Sequence, residues 1–343
     1  MTKQAIPHDT PQASSNSSPH SDENHQPTIH TIDGAAGLAY LNGQFIPMSE
    51  ANVSLATHGL NYGTGCFEGI RAYWNAAHEQ LYVLKLREHF QRFINSRRML
   101  KMQSPETVDE LCDHTVELLR RQDSRAGTYI RPLAFKSSRA IKPILSGLED
   151  MVGIFTVPMG DYIDISNGLH VCISSWRRVS GNAVPVRAKV TGGYVNSALA
   201  VEEAVAAGYD EAIFLTNAGH VSEGSSCNLF IVKKGKLHTP SVADDILEGI
   251  TRDCVMEMGQ REFGIATVER AIDRTELFDA DEVFLTGTGV QISPVTRIEG
   301  RAIGDGKPGK LTMELQRHYL RAAMGEDPAY AAWCTPVHTE GKQ

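Results

Sequence analysis

Lys189 stands in VPVRAKVTGGYVNSALA, a lysine among small and apolar residues with Gly-Gly and a helix-forming run behind it. A desolvated ammonium gives up its proton more readily, and the freed amine can attack a carbonyl to form a Schiff base. Most lysines in such company only extend their heads to water, so Lys189 needs partners. Arg71, set between the glycines and aromatics of FEGIRAYW, wants an anion, either a carboxylate of the chain or a ligand. Glu223 leads SEGSSCNLF into an apolar strand bearing Asn228. A carboxylate buried there needs a cation or a donor, which could be a structural ion pair or a protonated ring nitrogen. In LEGITRDCVMEMG, Gly249 permits close backbone approach after Leu247, and the amides of Ile250 and Thr251 open a helix. Such a terminus cradles phosphate. Gly287, Thr288 and Gly289 in TGTGVQISP form a turn whose N–H groups can face a further anion.

Each of these features has an ordinary structural reading. Together they describe one ligand with a phosphate, an aldehyde caught by a lysine and a ring nitrogen facing a carboxylate. That ligand is pyridoxal 5'-phosphate, an electron sink. The glycine run GTGCFEG over residues 63–69 also invites a dinucleotide reading. No convincing strand precedes it, and the acid that fingerprint needs is not spaced correctly, so a tight turn is the better account.

The elements that must position these residues fall into two groups. LAYL-NG-QFIPM is a hairpin about Asn42-Gly43. LYVLKL reads as a strand, and REHFQRFINSRRMLKM as a helix with Phe90, Phe93 and Ile94 on one face. Ser104-Pro105-Glu106 has the form of a helix cap with proline at the first position, and TYIRPLAFKS and MVGIFTVPM are strand-like. After a glycine-flanked connector come the strand LHVCISSW, a helix ending at Gly208, the strands EAIFLT, CNLFIVKKGKLHT and ATVERAI, and a helix ending at Gly264. DEVFLTGTGVQISPV then runs from a strand into the glycine turn. Hairpins mix with helices without a regular β-α-β alternation, which argues for an α+β fold and against a doubly wound sheet. The expected division is a disordered tail over 1–35, a small domain over 36–160, a connecting loop over 161–170, a larger cofactor-binding domain over 171–325 and a C-terminal tail over 326–343.

The chain of 343 residues is long enough to bury about two cores, and its formal net charge of -8 argues against nucleic acid or an anionic membrane as partner. No apolar run approaches bilayer length and no signal sequence is evident. Six cysteines lack Cys-x-x-Cys or zinc spacing, which fits reduced thiols of a cytoplasmic protein with no metal. The histidines of the N-terminal tail (His8, His20, His25 and His30) read as solvated.

The motifs resemble those of the class IV, or fold-type IV, pyridoxal-phosphate aminotransferases, and most of all the branched-chain amino acid aminotransferases. The family signature is matched by Glu223, Ser225, Asn228, Leu229 and Phe230, then Leu237 and Thr239, then Leu247, Gly249, Ile250 and Arg252. HGLNYGTGCFEGIR from His58 to Arg71 and YIRPL from Tyr129 to Leu133 match the branched-chain members, and the resemblance spans about residues 37–325. It implies two domains, the second β-barrel-like with helices, and an active site near a subunit interface, hence a homodimer or larger assembly. It implies that Lys189 carries the internal aldimine and shuttles the substrate proton. Glu223 would face the pyridine nitrogen and Tyr194 the 3-oxygen. Arg71, Ile250, Thr251 and Thr288 would hold the phosphate, with Leu247, Gly249 and Gly287 around them. Tyr129, Thr288 and Gly289 would take the α-carboxylate, and Tyr62, Phe67, Arg131 and Tyr162 would line the side-chain pocket.

The activity implied is ping-pong transamination between leucine, isoleucine or valine and 2-oxoglutarate. One departure stands out: the family commonly has GTAAE where this chain has Gly287-Thr288-Gly289-Val290-Gln291. A looser carboxylate turn keeps (R)-primary amines or D-amino acids open as donors, and aminodeoxychorismate lyase is a more distant alternative within the fold.

Overall fold

The computed structural model describes residues 37–160 and 168–338. The N-terminal tail, most of the 161–170 connector and Tyr162 lie outside the described residues.

The chain opens with Leu38–Leu41 (β1) and Gln44–Pro47 (β2), paired antiparallel. Asn42 and Gly43 between them take φ of 46° and 91°, the left-handed pair that a two-residue hairpin turn requires. The five-residue helix His58–Tyr62 (α1) follows, then Gly65–Phe67 (β3), Ile70–Asn75 (β4) and Gln80–Leu84 (β5). Leu86–Met99 (α2) buries Phe90 and Phe93 as its periodicity demands, and Val108–Arg121 (α3) packs beside it. The helix cap expected at Ser104 falls instead at Thr107. The Thr107 hydroxyl accepts the Glu110 N–H and the Glu110 carboxylate accepts the Thr107 N–H, a reciprocal box. Ser104 is spent elsewhere, since its carbonyl and hydroxyl both accept from Arg97.

Thr128–Lys136 (β6) and Asp150–Pro158 (β7) form a nine-residue antiparallel ladder that centres the first sheet. The second sheet is built from Leu169–Arg177 (β8), the helix Tyr194–Ala206 (α4), Glu211–Leu215 (β9), Val221–Gly224 (β10), Asn228–Lys233 (β11) and Lys236–Thr239 (β12). It continues through the helix Ile250–Phe263 (α5), Thr267–Glu269 (β13), Glu282–Gly287 (β14), Gln291–Ile298 (β15) and Arg301–Ala302 (β16). Its strand order is β10-β9-β8-β15-β14-β11-β12-β13, mixed parallel and antiparallel, with irregular register at β8–β9, β8–β15 and β9–β10. Such irregularities bend and coil strands, and the sheet curls without closing. The architecture is the mixed α+β expected, not a doubly wound sheet.

The helix Lys310–Ala323 (α6) lies on β15. Beyond it the expected C-terminal tail is corrected. Residues Pro328–Trp333 form a short helix that buries Tyr330 and Trp333, and Cys334–Pro336 (β17) pairs with β5 at the edge of the first sheet. The sheet order is therefore β17-β5-β4-β6-β7-β1-β2 with β3 on β6. Gly325 and the polar run before Tyr330 look like the start of a tail, but the aromatic pair that follows is core material. Tyr73 and Leu84 of the first sheet share a core with Phe230, Phe284 and Ile292 of the second and with Tyr319, Tyr330 and Trp333. The two sheets are thus joined through apolar packing at the level of α5 and α6. Among the described residues no helix is long and apolar enough to cross a membrane.

Candidate active site

Lys189 lies on the irregular segment between β8 and α4, where the isolated bridge Cys66–Val190 and the Phe67 N–H to Lys189 carbonyl bond (3.0 Å) pin it to β3. Its Nζ donates to the Tyr194 hydroxyl at 2.7 Å and sits 5.2 Å from the centre of the Phe67 ring. Tyr194 opens α4, one turn on from the lysine, so the Gly192-Gly193 link sets the reach between them. Gly192 and Gly63 back onto each other so closely that a Cβ on Gly63 would stand 2.7 Å from the Gly192 Cα. The paired glycines let the two loops touch.

Two cavities meet at this lysine. The first is bounded by Lys189, Tyr194, Glu223, the start of α5 at Ile250 and Thr251, and Thr288. Glu223, at the end of β10, is buried, and both its oxygens are engaged. Oε1 pairs with Arg178 Nη2 at 2.8 Å, while Oε2 accepts from Asn228 Nδ2 at 3.0 Å and the Leu247 N–H at 3.1 Å. Burial pushes the Glu223 carboxyl above its usual range, and the Arg178 guanidinium is the strongest influence opposing it. Arg178 was not singled out from the sequence; the WRRVSG context gives no sign that one of two adjacent arginines turns inward.

At the far end of this cavity Gly249 caps α5 with no side-chain hydrogen bond, leaving the first amides open to a ligand. A Cβ on Gly249 would stand 1.8 Å from Asn228 Oδ1, so only glycine fits between the Glu223 support and the helix start. Arg92 of α2 also enters the cavity. Its Nη1 donates to the Glu248 carbonyl at 2.7 Å, directly ahead of the helix cap. Arg92 went unnoticed in the sequence because in REHFQRF it reads as the solvated face of an amphipathic helix. Arg71 lies one layer deeper, in a small adjoining cavity with Ile250, Thr251 and Thr288, and donates to the Gly160 carbonyl at 2.7 Å. Thr286 Oγ1 is buried beside the first cavity with no hydrogen-bond partner among the described residues.

The second cavity, of about 540 Å³, opens on the other side of Lys189. The β6–β7 ladder builds its wall by simple alternation: Tyr129, Arg131 and Leu133 face the same way, opposite Val157 and Phe155 in register. Arg131 donates to the Tyr129 hydroxyl from Nη2 at 2.8 Å and lies 4.4 Å over the Phe67 ring. The turn at Gly287, Thr288 and Gly289 closes the cavity, and Thr288 Oγ1 donates to the Gly69 carbonyl at 2.9 Å, tying the turn to the first sheet. Tyr62, expected to line this pocket, is not among the residues that bound it within one chain: it sits at the end of α1, 38% exposed, against His58. The remaining expected residues, apart from Tyr162 and from Arg71 in its adjoining cavity, stand around the two cavities.

A lysine amine, a phenol, a buried carboxylate with its own cation and an open helix N-terminus, gathered around one cavity, are the groups that a phosphorylated pyridine aldehyde requires. The amino-transferase class IV family model matches residues 65–298, and the chain belongs to that family. Its relatives include a probable branched-chain-amino-acid aminotransferase of Aquifex aeolicus, 45% identical with 88% of this chain and 97% of that protein covered. The branched-chain-amino-acid aminotransferase of Pseudomonas aeruginosa is 36% identical over 88% of this chain and 97% of its own length. Among solved structures, the branched-chain aminotransferase of Thermobaculum terrenum in its PLP form superposes with a TM-score of 0.85 at 37% identity, covering 89% of this chain and all of that one. That of Thermoproteus uzoniensis with norvaline gives 0.84 at 41% identity, covering 88% and 99%.

Proposed function

We propose that the chain is a pyridoxal-phosphate-dependent transaminase that moves the amino group of leucine, isoleucine or valine to 2-oxoglutarate. The observation that carries this reading is the position of Lys189, on the wall shared by a polar cavity shaped for the cofactor and a second cavity with an apolar wall and one arginine. The bound cofactor supplies a carbonyl for the lysine and a ring that draws electrons from the substrate Cα. Glu223, paired with Arg178, would face the ring nitrogen and favour its protonated form, and Tyr194, already bonded to the Lys189 amine, would meet the ring's oxygen. Arg92, the Ile250 and Thr251 amides and Thr288 receive the phosphate, with Arg71 behind them. Lys189 Nζ would carry the substrate proton from Cα to the C4′ position of the bound cofactor, the shift that transamination requires.

Leu133, Phe155 and Val157 accept an aliphatic side chain, with weak discrimination because one methylene is worth about 1–3 kcal/mol. Arg131 and Tyr129 give a carboxylate an anchor in the same space, so donor and acceptor can alternate. The exposed apolar residues Leu55 (88%), Leu60 (60%) and Ile141 (90%) support a homodimer in which a second copy covers them. The six unpaired thiols support a reducing, cytoplasmic setting.

The test is a donor panel with 2-oxoglutarate, containing L-leucine, L-valine, D-alanine and (R)-1-phenylethylamine, together with borohydride trapping and peptide mapping. The expected result is turnover of the branched L-amino acids and a label on Lys189. A colourless protein with no trapped label, or turnover of the amine alone, refutes the reading.

A further inference from the structure

We propose that Glu68 and His89 are positioning residues that fix the Arg92 guanidinium across the phosphate end of the cofactor cavity. The inference rests on the cofactor reading of that cavity given above. Glu68 lies between β3 and β4 and is completely buried. Its Oε1 accepts from Arg92 Nε at 2.7 Å, and its Oε2 accepts from Arg92 Nη2 at 2.8 Å and from His89 Nδ1 at 2.8 Å. His89 and Arg92 are three residues apart on α2, so the helix presents both to one carboxylate.

Two parallel bonds from guanidinium to carboxylate define a plane as well as a distance. The third anchor is across the molecule, where Arg92 Nη1 meets the Glu248 carbonyl ahead of the α5 cap. Three of the five N–H bonds of Arg92 are thereby committed, and those left on Nη1 and Nη2 belong to the part of the side chain that enters the cavity with Ile250 and Thr251. An arginine on a free helix face loses rotamer freedom when it binds a ligand; here that freedom is already lost before a ligand arrives.

The charge state is consistent. Burial alone would raise the Glu68 carboxyl, but the charge of Arg92 and the hydrogen bonds from Arg92 and His89 outweigh it and hold the group well below the usual carboxylate range. Burial pushes His89 below its ordinary value, so the imidazole is neutral and its Nδ1–H donates to Glu68. A merely structural trio would hold α2 to the first sheet and be indifferent to phosphate.

The experiment compares pyridoxal 5'-phosphate with pyridoxal, which lacks the phosphate, as ligands of the full-length apoenzyme. E68Q keeps the shape of the side chain and removes its charge. Its Kd for pyridoxal 5'-phosphate should rise about tenfold or more while its Kd for pyridoxal stays within about twofold of the parent. Equal losses for both ligands, or no loss for either, overturn the proposal. If E68Q does not fold, H89Q, which leaves the Glu68–Arg92 pair in place, is read on the same ligands. It must show a smaller loss confined to the phosphorylated one, and equal or absent losses again overturn the proposal. If the parent protein binds neither ligand through Lys189, the cofactor reading itself fails, an outcome distinct from both.

Discussion

Replacing Arg178 with methionine removes the cation that, among the described residues, pairs with Glu223, 2.8 Å from Oε1, and leaves a similar apolar volume. An ionised carboxylate stranded in that site costs about 3–5 kcal/mol, the usual penalty for breaking a buried pair from one side. The protein has a way to limit the cost, which is to protonate Glu223. Relative to an ordinary carboxylate near 4.3, holding the proton at pH 7 costs about 3.7 kcal/mol, and at pH 5 only about 1 kcal/mol. The Asn228 and Leu247 N–H groups favour the ionised form but do not replace the lost charge.

In the variant the folded-state carboxyl therefore lies further above its unfolded value than in the parent, where burial already raises it. A raised acid binds its proton more tightly in the folded state, so stability is greatest below the unfolded value and falls as pH rises through the folded one. The expected penalty is thus smaller at pH 5 and grows toward pH 7, by at most about 1.4 kcal/mol per pH unit where the carboxyl is ionised in the parent and protonated in the variant. Urea unfolding of parent and variant apoenzyme at pH 5, 6 and 7 measures it. A penalty of equal size at the three pH values would show that Arg178 acts by packing alone, and no penalty would show that it does not support Glu223.

Three further outcomes follow from the same geometry. Lys189→Ala should abolish transamination and the trapped label while the unfolding midpoint of the apoenzyme stays close to that of the parent, and retained turnover would move the nucleophile elsewhere. Gly249→Ala places a methyl 1.8 Å from Asn228 Oδ1, so Asn228 must leave Glu223; overpacking should cost about 1–3 kcal/mol in urea unfolding, with weaker cofactor binding in a spectroscopic titration. Removing residues 328–343 discards Tyr330, Trp333 and β17; the loss should exceed about 5 kcal/mol and leave little folded protein, as judged by circular dichroism.

The chemistry-bearing residues were easier to read than the surfaces that support them. Lys189, Glu223 and the Gly249 helix start are marked by small neighbours, because a ligand or a backbone must come close, and small residues leave a local trace. Of the β6–β7 wall the strands were legible, while Tyr129 and Arg131 were reached only through the family resemblance and Leu133, on the same face, was not singled out. Arg92 and Arg178 were not legible, because an arginine that turns inward has the same neighbours as one that turns out. Only the arrival of Glu68 and Glu223 from distant parts of the chain decides the matter. The orientation of Tyr62 was not legible, since α1 is too short for periodicity to set it. The C-terminal segment failed because its partner, β5, lies some 250 residues earlier, and edge pairing at that separation leaves no local pattern.

The two unforeseen arginines give the site its order of assembly. Arg178 is held by the second sheet's own loops, donating to the Asp245 carbonyl as well as to Glu223, so the ring end of the cavity is complete within one half of the chain. Arg92 belongs to α2 and reaches over to Glu248, while Thr288 reaches back to Gly69, so the phosphate end and the carboxylate turn exist only when the two halves are packed together. The Lys189 segment is pinned to β3 by the same packing. A change that loosens the shared core at Tyr73, Leu84 and Tyr319 should therefore weaken phosphate binding and substrate binding together while leaving the Glu223–Arg178 pair intact. That coupling separates damage at the junction from damage to the ring site.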